Sequence, residues 1–297
     1  MLLVTIAFEN DEDEVVAGIK QLKELYRNHN TIIGFSESME ENTHFIKIFC
    51  EDDMDSKLVK KFYIYMADII FQVAVDEFIK KHMEPFLEES YFFLNYEEIE
   101  DIKKQFAKTL KNSEKEISDS SIWYINKINC MESKIQAFLK ENREININGF
   151  ITFRTKELNQ EFIYILDKII DRCMVEKEYS EFIKLLSYFV EIQDAKIEEI
   201  NIIINSKGEY AYKNGDNIDI KSELFCELFD VKRNENVNED DMLISGLITN
   251  SPKKIVIHCP ENVINGEIID TIVKVFGDRV ELCNNCKLCS RIKNKYN

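Results

Sequence analysis

The chain has 297 residues, 45% of them hydrophobic and 31% charged, and its 38 basic against 55 acidic side chains give a net charge of −17. That is a globular composition with core material for two or three small domains. Its sign argues against nucleic acid and anionic membrane as partners, since both select Lys and Arg.

The start, Met1 to Ala7, is apolar but has no basic head and runs at once into Asp11-Glu12-Asp13-Glu14, so no secretory signal is expected. Residues 62–75 are the most apolar later stretch. Asp68 and Gln72 interrupt it, and it is too short to span a bilayer. A cytoplasmic protein is expected, with its eight cysteines as thiols or metal ligands rather than disulfides.

Residues 2–8 read as a strand, and 11–29 as a helix with Val15, Ile19, Leu22 and Leu25 on one face. Residues 31–35 and 44–50 read as two further strands, making a small βαββ layer. Asp55 opens a long helix whose stripe of Leu58, Phe62, Met66, Ile69 and Val73 predicts burial, and Pro85 should end or kink it. The acidic run Glu51-Asp52-Asp53 suits a helix start and lacks calcium-loop spacing. Residues 97–144 keep a helical but more charged pattern, with Ser118 or Asp119 as a cap.

Asn148-Gly149 interrupts that pattern. Two helices are predicted next, one carrying Leu158, Phe162, Ile165, Leu166 and Ile169, the other Tyr179, Phe182, Ile183, Leu186 and Val190. A join at residues 176–178 predicts an antiparallel pair. The period then becomes two-fold. Residues 200–205, 210–212 and 218–220 predict a meander, with Ser206-Lys207-Gly208 and Asn214-Gly215 as turns. A short helix over 240–249 precedes a βαβ unit: strand 254–259, helix 263–276 and strand 279–282. The expected class is α+β, with a βαββ layer and long helix in 1–90, a helical region in 91–194 and an α/β domain in 195–297.

Three segments carry a family resemblance. They are Asn148-Gly149-Phe150-Ile151-Thr152-Phe153-Arg154, the run 176–193 from Glu176-Lys177-Glu178-Tyr179 to Val190-Glu191-Ile192-Gln193, and Asp240-Asp241-Met242-Leu243-Ile244-Ser245-Gly246-Leu247-Ile248-Thr249. Together they resemble the YtxC-like family of sporulation proteins of spore-forming Firmicutes, over the half of the chain from Asn148 onward. The resemblance implies a role in sporulation and carries over no catalytic residue.

The residues that could carry chemistry cluster at the end. Cys283, Cys286 and Cys289 stand at two successive three-residue steps. In a loop, that spacing lets thiolates converge on an iron–sulfur cluster. Zinc needs a fourth ligand. Cys259 is the candidate, because it ends one strand of the βαβ unit while Cys283 follows the other, and neighbouring strands lie about 5 Å apart. His258 should face the opposite way and ranks below it. A metal-free cysteine-rich tail and a Cys286–Cys289 redox pair are the competing readings. Cys50 and Cys173 read as core thiols. His29, His44 and His82 read as ordinary surface or core histidines, and the basic tail Lys287, Arg291, Lys293 and Lys295 as a solvated end.

No GxGxxG, GxxxxGK[ST] or HExxH occurs, and Gly34-Phe35-Ser36-Glu37-Ser38 lacks the second glycine of a nucleophile elbow. The expectation is therefore a non-enzymatic sporulation factor acting through an unknown protein partner or as a homo-oligomer. The alternative is a zinc, iron–sulfur or redox protein using Cys259, Cys283, Cys286 and Cys289.

Overall fold

The structure, a computed structural model, describes residues 1–9, 13–28, 32–52, 55–111, 119–226 and 238–294. Expectations placed on residues 11, 12, 29, 31, 53, 118 and 295 lie outside these. The chain divides into two compact units, Met1–Met174 and Val175–Asn297. Both are mixed helix and sheet, so the α+β class holds.

In the first unit, β1 (Leu2–Glu9), α1 (Asp13–Asn28), β2 (Ile33–Glu40) and β3 (Thr43–Cys50) realise the βαββ start. β1 pairs antiparallel with β3, and β3 with β2. α2 (Ser56–Phe78) is capped by Asp55, whose carboxylate accepts the Lys57 N–H at 3.0 Å. Gly18 of α1 lets the two helices touch, since a Cβ there would lie 2.7 Å from Ile69 Cγ1. Pro85 interrupts the α geometry rather than ending the helix. Its nitrogen has no hydrogen to donate to the carbonyl four residues back, and the preceding turn widens to π geometry over Ile79–Met83 before α3 (Glu84–Ser90) resumes.

α4 (Tyr96–Lys111) and α5 (Asp119–Glu141) follow, then a strand that local pattern does not announce, β4 (Glu144–Asn146). It pairs parallel with β1 and completes a sheet of order β2-β3-β1-β4. The Asn146 side chain then accepts the Gly149 N–H at 2.8 Å and starts α6 (Ile147–Ile192). The core beside this sheet centres on Phe71, Phe78, Phe106 and Phe162, whose rings lie 5.2–6.2 Å apart.

The antiparallel helix pair is not present: α6 is one helix across residues 176–178. Glu176, Lys177 and Glu178 are all good helix formers, and neither Gly nor Pro occurs between 150 and 192. A charged interruption in an apolar stripe does not break a helix.

The second unit takes the end of α6, then β5 (Glu199–Ile204), β6 (Tyr210–Asn214), α7 (Lys221–Leu224), α8 (Glu239–Asn250), β7 (Lys254–His258), α9 (Gly266–Phe276), β8 (Val280–Cys283) and α10 (Lys287–Asn294). The third strand of the meander reduces to one bridge, Lys213 to Asp219. The sheet order is β6-β5-β7-β8, with β5, β7 and β8 parallel. β5 alternates strictly. Ile200, Ile202 and Ile204 enter the core with Ile255 and Ile257, while Glu199 and Asn201 face the other way. Within this unit Ile183 and Val190 of α6 are buried, and the Ser187 hydroxyl donates to the Val275 carbonyl at 3.0 Å. Phe182, Leu185, Tyr188, Phe189 and Ile192 on the same segment are exposed. Among the described residues no helix is long and apolar enough to cross a membrane.

Candidate metal centre

The polar face of the second sheet carries the site at the carboxyl ends of its parallel strands. β8 runs through Cys283, one residue further than its apolar pattern suggests, and Cys283 pairs in register with His258. Paired residues on neighbouring strands point to the same face, so His258 and Cys283 emerge together. The chain then turns through Asn284 and Asn285, places Cys286 before α10, and brings Cys289 round on the first turn of that helix. His258 is 5% exposed and Cys289 fully buried, while Cys283 and Cys286 are half-buried.

The Nδ1 of His258 and the sulfurs of Cys283, Cys286 and Cys289 all lie within 4.8 Å of one another. His258 Nδ1 is 3.4 Å from the Cys286 sulfur and 3.6 Å from that of Cys289. The Cys286 and Cys289 sulfurs are 3.5 Å apart, and those of Cys289 and Cys283 3.9 Å. A tetrahedral zinc ion with bonds of about 2.3 Å to sulfur and about 2.0 Å to nitrogen holds its ligand atoms roughly 3.5–3.8 Å apart. Four of the six separations therefore already match the edges of such a tetrahedron, and the other two are within 4.8 Å. An iron–sulfur cluster spreads its thiolates over two or four irons around a larger body, which asks for a wider spread of the full ligand set.

Cys259, the fourth ligand expected from sequence, stands beside this group rather than within it. It leaves the strand in a left-handed conformation, φ 56°, and its N–H donates to the Cys283 carbonyl at 3.0 Å. Its thiol still neighbours Cys289. His258, ranked lower from sequence, takes the facing position because pairing is set by the register His258–Cys283 and not by the strand ends.

Electrostatics separate the thiols. Burial opposes the Cys286 thiolate, but the Cys289 N–H, the Cys289 and Cys283 thiols and the Leu288 N–H outweigh it and hold its pKa below the ordinary value. Burial pushes the Cys289 thiol up, helped by contacts with Cys286, Cys259 and Cys283. Its S–H donates to the Cys283 carbonyl at 3.1 Å, a proton that must leave when a metal binds. Burial lowers the His258 pKa against the pull of Glu199, which favours the neutral, ligating imidazole.

Behind the imidazole is Asn201, which no motif or spacing marks. His258 Nε2 lies 3.0 Å from Asn201 Oδ1. The Asn201 amide nitrogen donates to Glu199 Oε1 at 3.0 Å and to the Asn214 carbonyl at 3.3 Å.

Comparison with known proteins gives a family without an activity. The chain is 22% identical over 220 residues to "Uncharacterized protein YtxC" of Bacillus subtilis (strain 168), covering 73% of this chain and 76% of that protein. No solved structure matches. The profile of the YtxC-like family matches residues 64–281, which reaches well into the first unit, includes Asn201 and His258, and stops just before Cys283. Matched over most of its length, the chain belongs to the YtxC-like family.

Proposed function

We propose that the C-terminal unit binds one zinc ion through His258, Cys283, Cys286 and Cys289, as a structural site. The observation that carries this is the convergence of the four donor atoms within 4.8 Å, with four of their six separations at 3.4–3.9 Å. Four protein ligands fill a tetrahedron and leave no open position for substrate, which fits a brace better than a catalyst. On this reading the protein is a cytoplasmic, non-enzymatic sporulation factor, a role supported by the family resemblance.

The test is metal and acid-labile sulfide analysis of protein purified anaerobically. About one zinc per chain without sulfide is expected, lost in a Cys283→Ser, Cys286→Ser, Cys289→Ser variant and kept in Cys259→Ser. Cobalt should give thiolate charge-transfer and tetrahedral d–d bands in the wild type and neither in the triple variant. Metal-free wild type that takes up no cobalt would sink the proposal; iron with sulfide would replace it with a cluster. In cells, the triple variant as the sole copy is expected to lower the yield of heat-resistant spores.

A second reading, contact with a protein partner, is favoured by the exposed apolar face of α6. Val175, Phe182 and Phe189 recur every seven residues, and Leu185 and Ile192 each follow a phenylalanine by three. Side chains of about 150–200 Å² that are half exposed offer roughly 500 Å² in all. Two copies would then bury about 1,000 Å², the threshold of a specific interface. Sedimentation is expected to show a dimer that Phe182→Glu with Phe189→Glu dissociates; a wild-type monomer at about 100 μM would remove this reading.

A further inference from the structure

We infer that Asn201 is the positioning residue of the metal centre: it fixes the His258 tautomer and ring so that Nδ1, not Nε2, is the ligand atom. The inference rests on the proposed zinc site and adds a residue from a strand that supplies no ligand.

An asparagine amide can face a histidine with either its oxygen or its nitrogen. Here the choice is forced by the other side. Glu199 Oε1 and the Asn214 carbonyl can only accept, so the NH₂ group must face them. Oδ1 is left toward His258, and at 3.0 Å it can only accept from Nε2–H. A neutral imidazole with its proton on Nε2 presents a lone pair on Nδ1, the atom aimed at the Cys286 and Cys289 sulfurs. The chain of polar contacts runs from β6 through β5 to β7, so three strands align one ring. Such partners behind a ligating histidine are worth about 10–100-fold in metal affinity.

The placement follows from strand periodicity. Asn201 shares its β5 face with Glu199, while Ile200 and Ile202 fill the core. Asn201 is paired with Val256, two residues before His258 on the same face of β7, which brings amide and imidazole side by side.

The experiment uses the full chain and two variants. Asn201→Leu removes the acceptor; Asn201→Asp combined with Glu199→Gln keeps it and puts an amide donor opposite the new carboxylate. Zinc affinity is read by competition with a chelator, and the His258 tautomer by ¹⁵N NMR of the apo protein at a pH where the ring is neutral. The wild type is expected to show the Nε2–H tautomer. Asn201→Leu should show mixed tautomers and bind zinc about 10–100-fold more weakly, whereas Asn201→Asp with Glu199→Gln should stay within about threefold of wild type. An Nδ1–H tautomer in the wild type, or unchanged affinity in Asn201→Leu, would overturn the inference. If no variant binds metal, the zinc reading fails, and the apo tautomer still decides the role of Asn201.

Discussion

Stripping the metal from zinc-loaded protein is expected to lower the melting midpoint of the C-terminal unit by roughly 10–20 °C and to expose the last helix to protease. A ligand present a thousandfold above its dissociation constant adds about 4 kcal/mol to the folded state. For a unit of this size each kcal/mol moves the midpoint by about 3–5 °C. The helix is vulnerable because α10 has eight residues, well short of the length at which an isolated helix holds together. Among its described residues Cys289 alone is fully buried. Cleavage after Lys287 or Arg291, followed by mass spectrometry, should be slow in the loaded protein and fast after chelation. Equal rates in both states, with equal midpoints, would show that packing and not metal holds α10.

The second large effect lies in the other unit. Phe162→Ala is expected to destabilise the Met1–Met174 unit by about 3–5 kcal/mol, the usual cost of emptying a phenylalanine site in a core. Phe162 is fully buried and its ring contacts those of Phe71, Phe78 and Phe106, at 5.9, 5.2 and 6.2 Å. Four rings from α2, α4 and α6 cannot close over the gap without moving a helix. The single tryptophan, Trp123, lies on α5 in the same unit, 5.4 Å from the Tyr164 ring. Its fluorescence reports this unit directly. With a urea dependence near 2–3 kcal/mol/M, the midpoint should fall by about 1.5 M. A shift under about 0.5 M would mean that the aromatic cluster is replaceable.

What could be read beforehand depended on how local the signal was. The β7-α9-β8 crossover was legible because two apolar runs flank an amphipathic helix, with Gly277-Asp278 between helix and second strand. The βαββ start was legible for the same reason. β4 was not: Glu144, Ile145 and Asn146 have no strand pattern of their own and are ordered by pairing with Thr5, Ile6 and Ala7. The continuous α6 was missed because charge at residues 176–178 resembles a break, although helix propensity there is high. At the candidate metal centre, three cysteines announced themselves by spacing. The choice between His258 and Cys259 turned on one residue of register, which sequence alone does not fix. Asn201 had no motif; only the face it shares with His258 marks it.

β8 has a consequence for the company this protein keeps. It is an outer strand of its sheet, and an outer strand presents unpaired backbone groups on which a foreign strand can grow. Here the run stops after four residues, because the chain leaves at Cys283 into the turn that carries Cys286. The same cysteine that would grip a metal thus cuts short a template for aggregation.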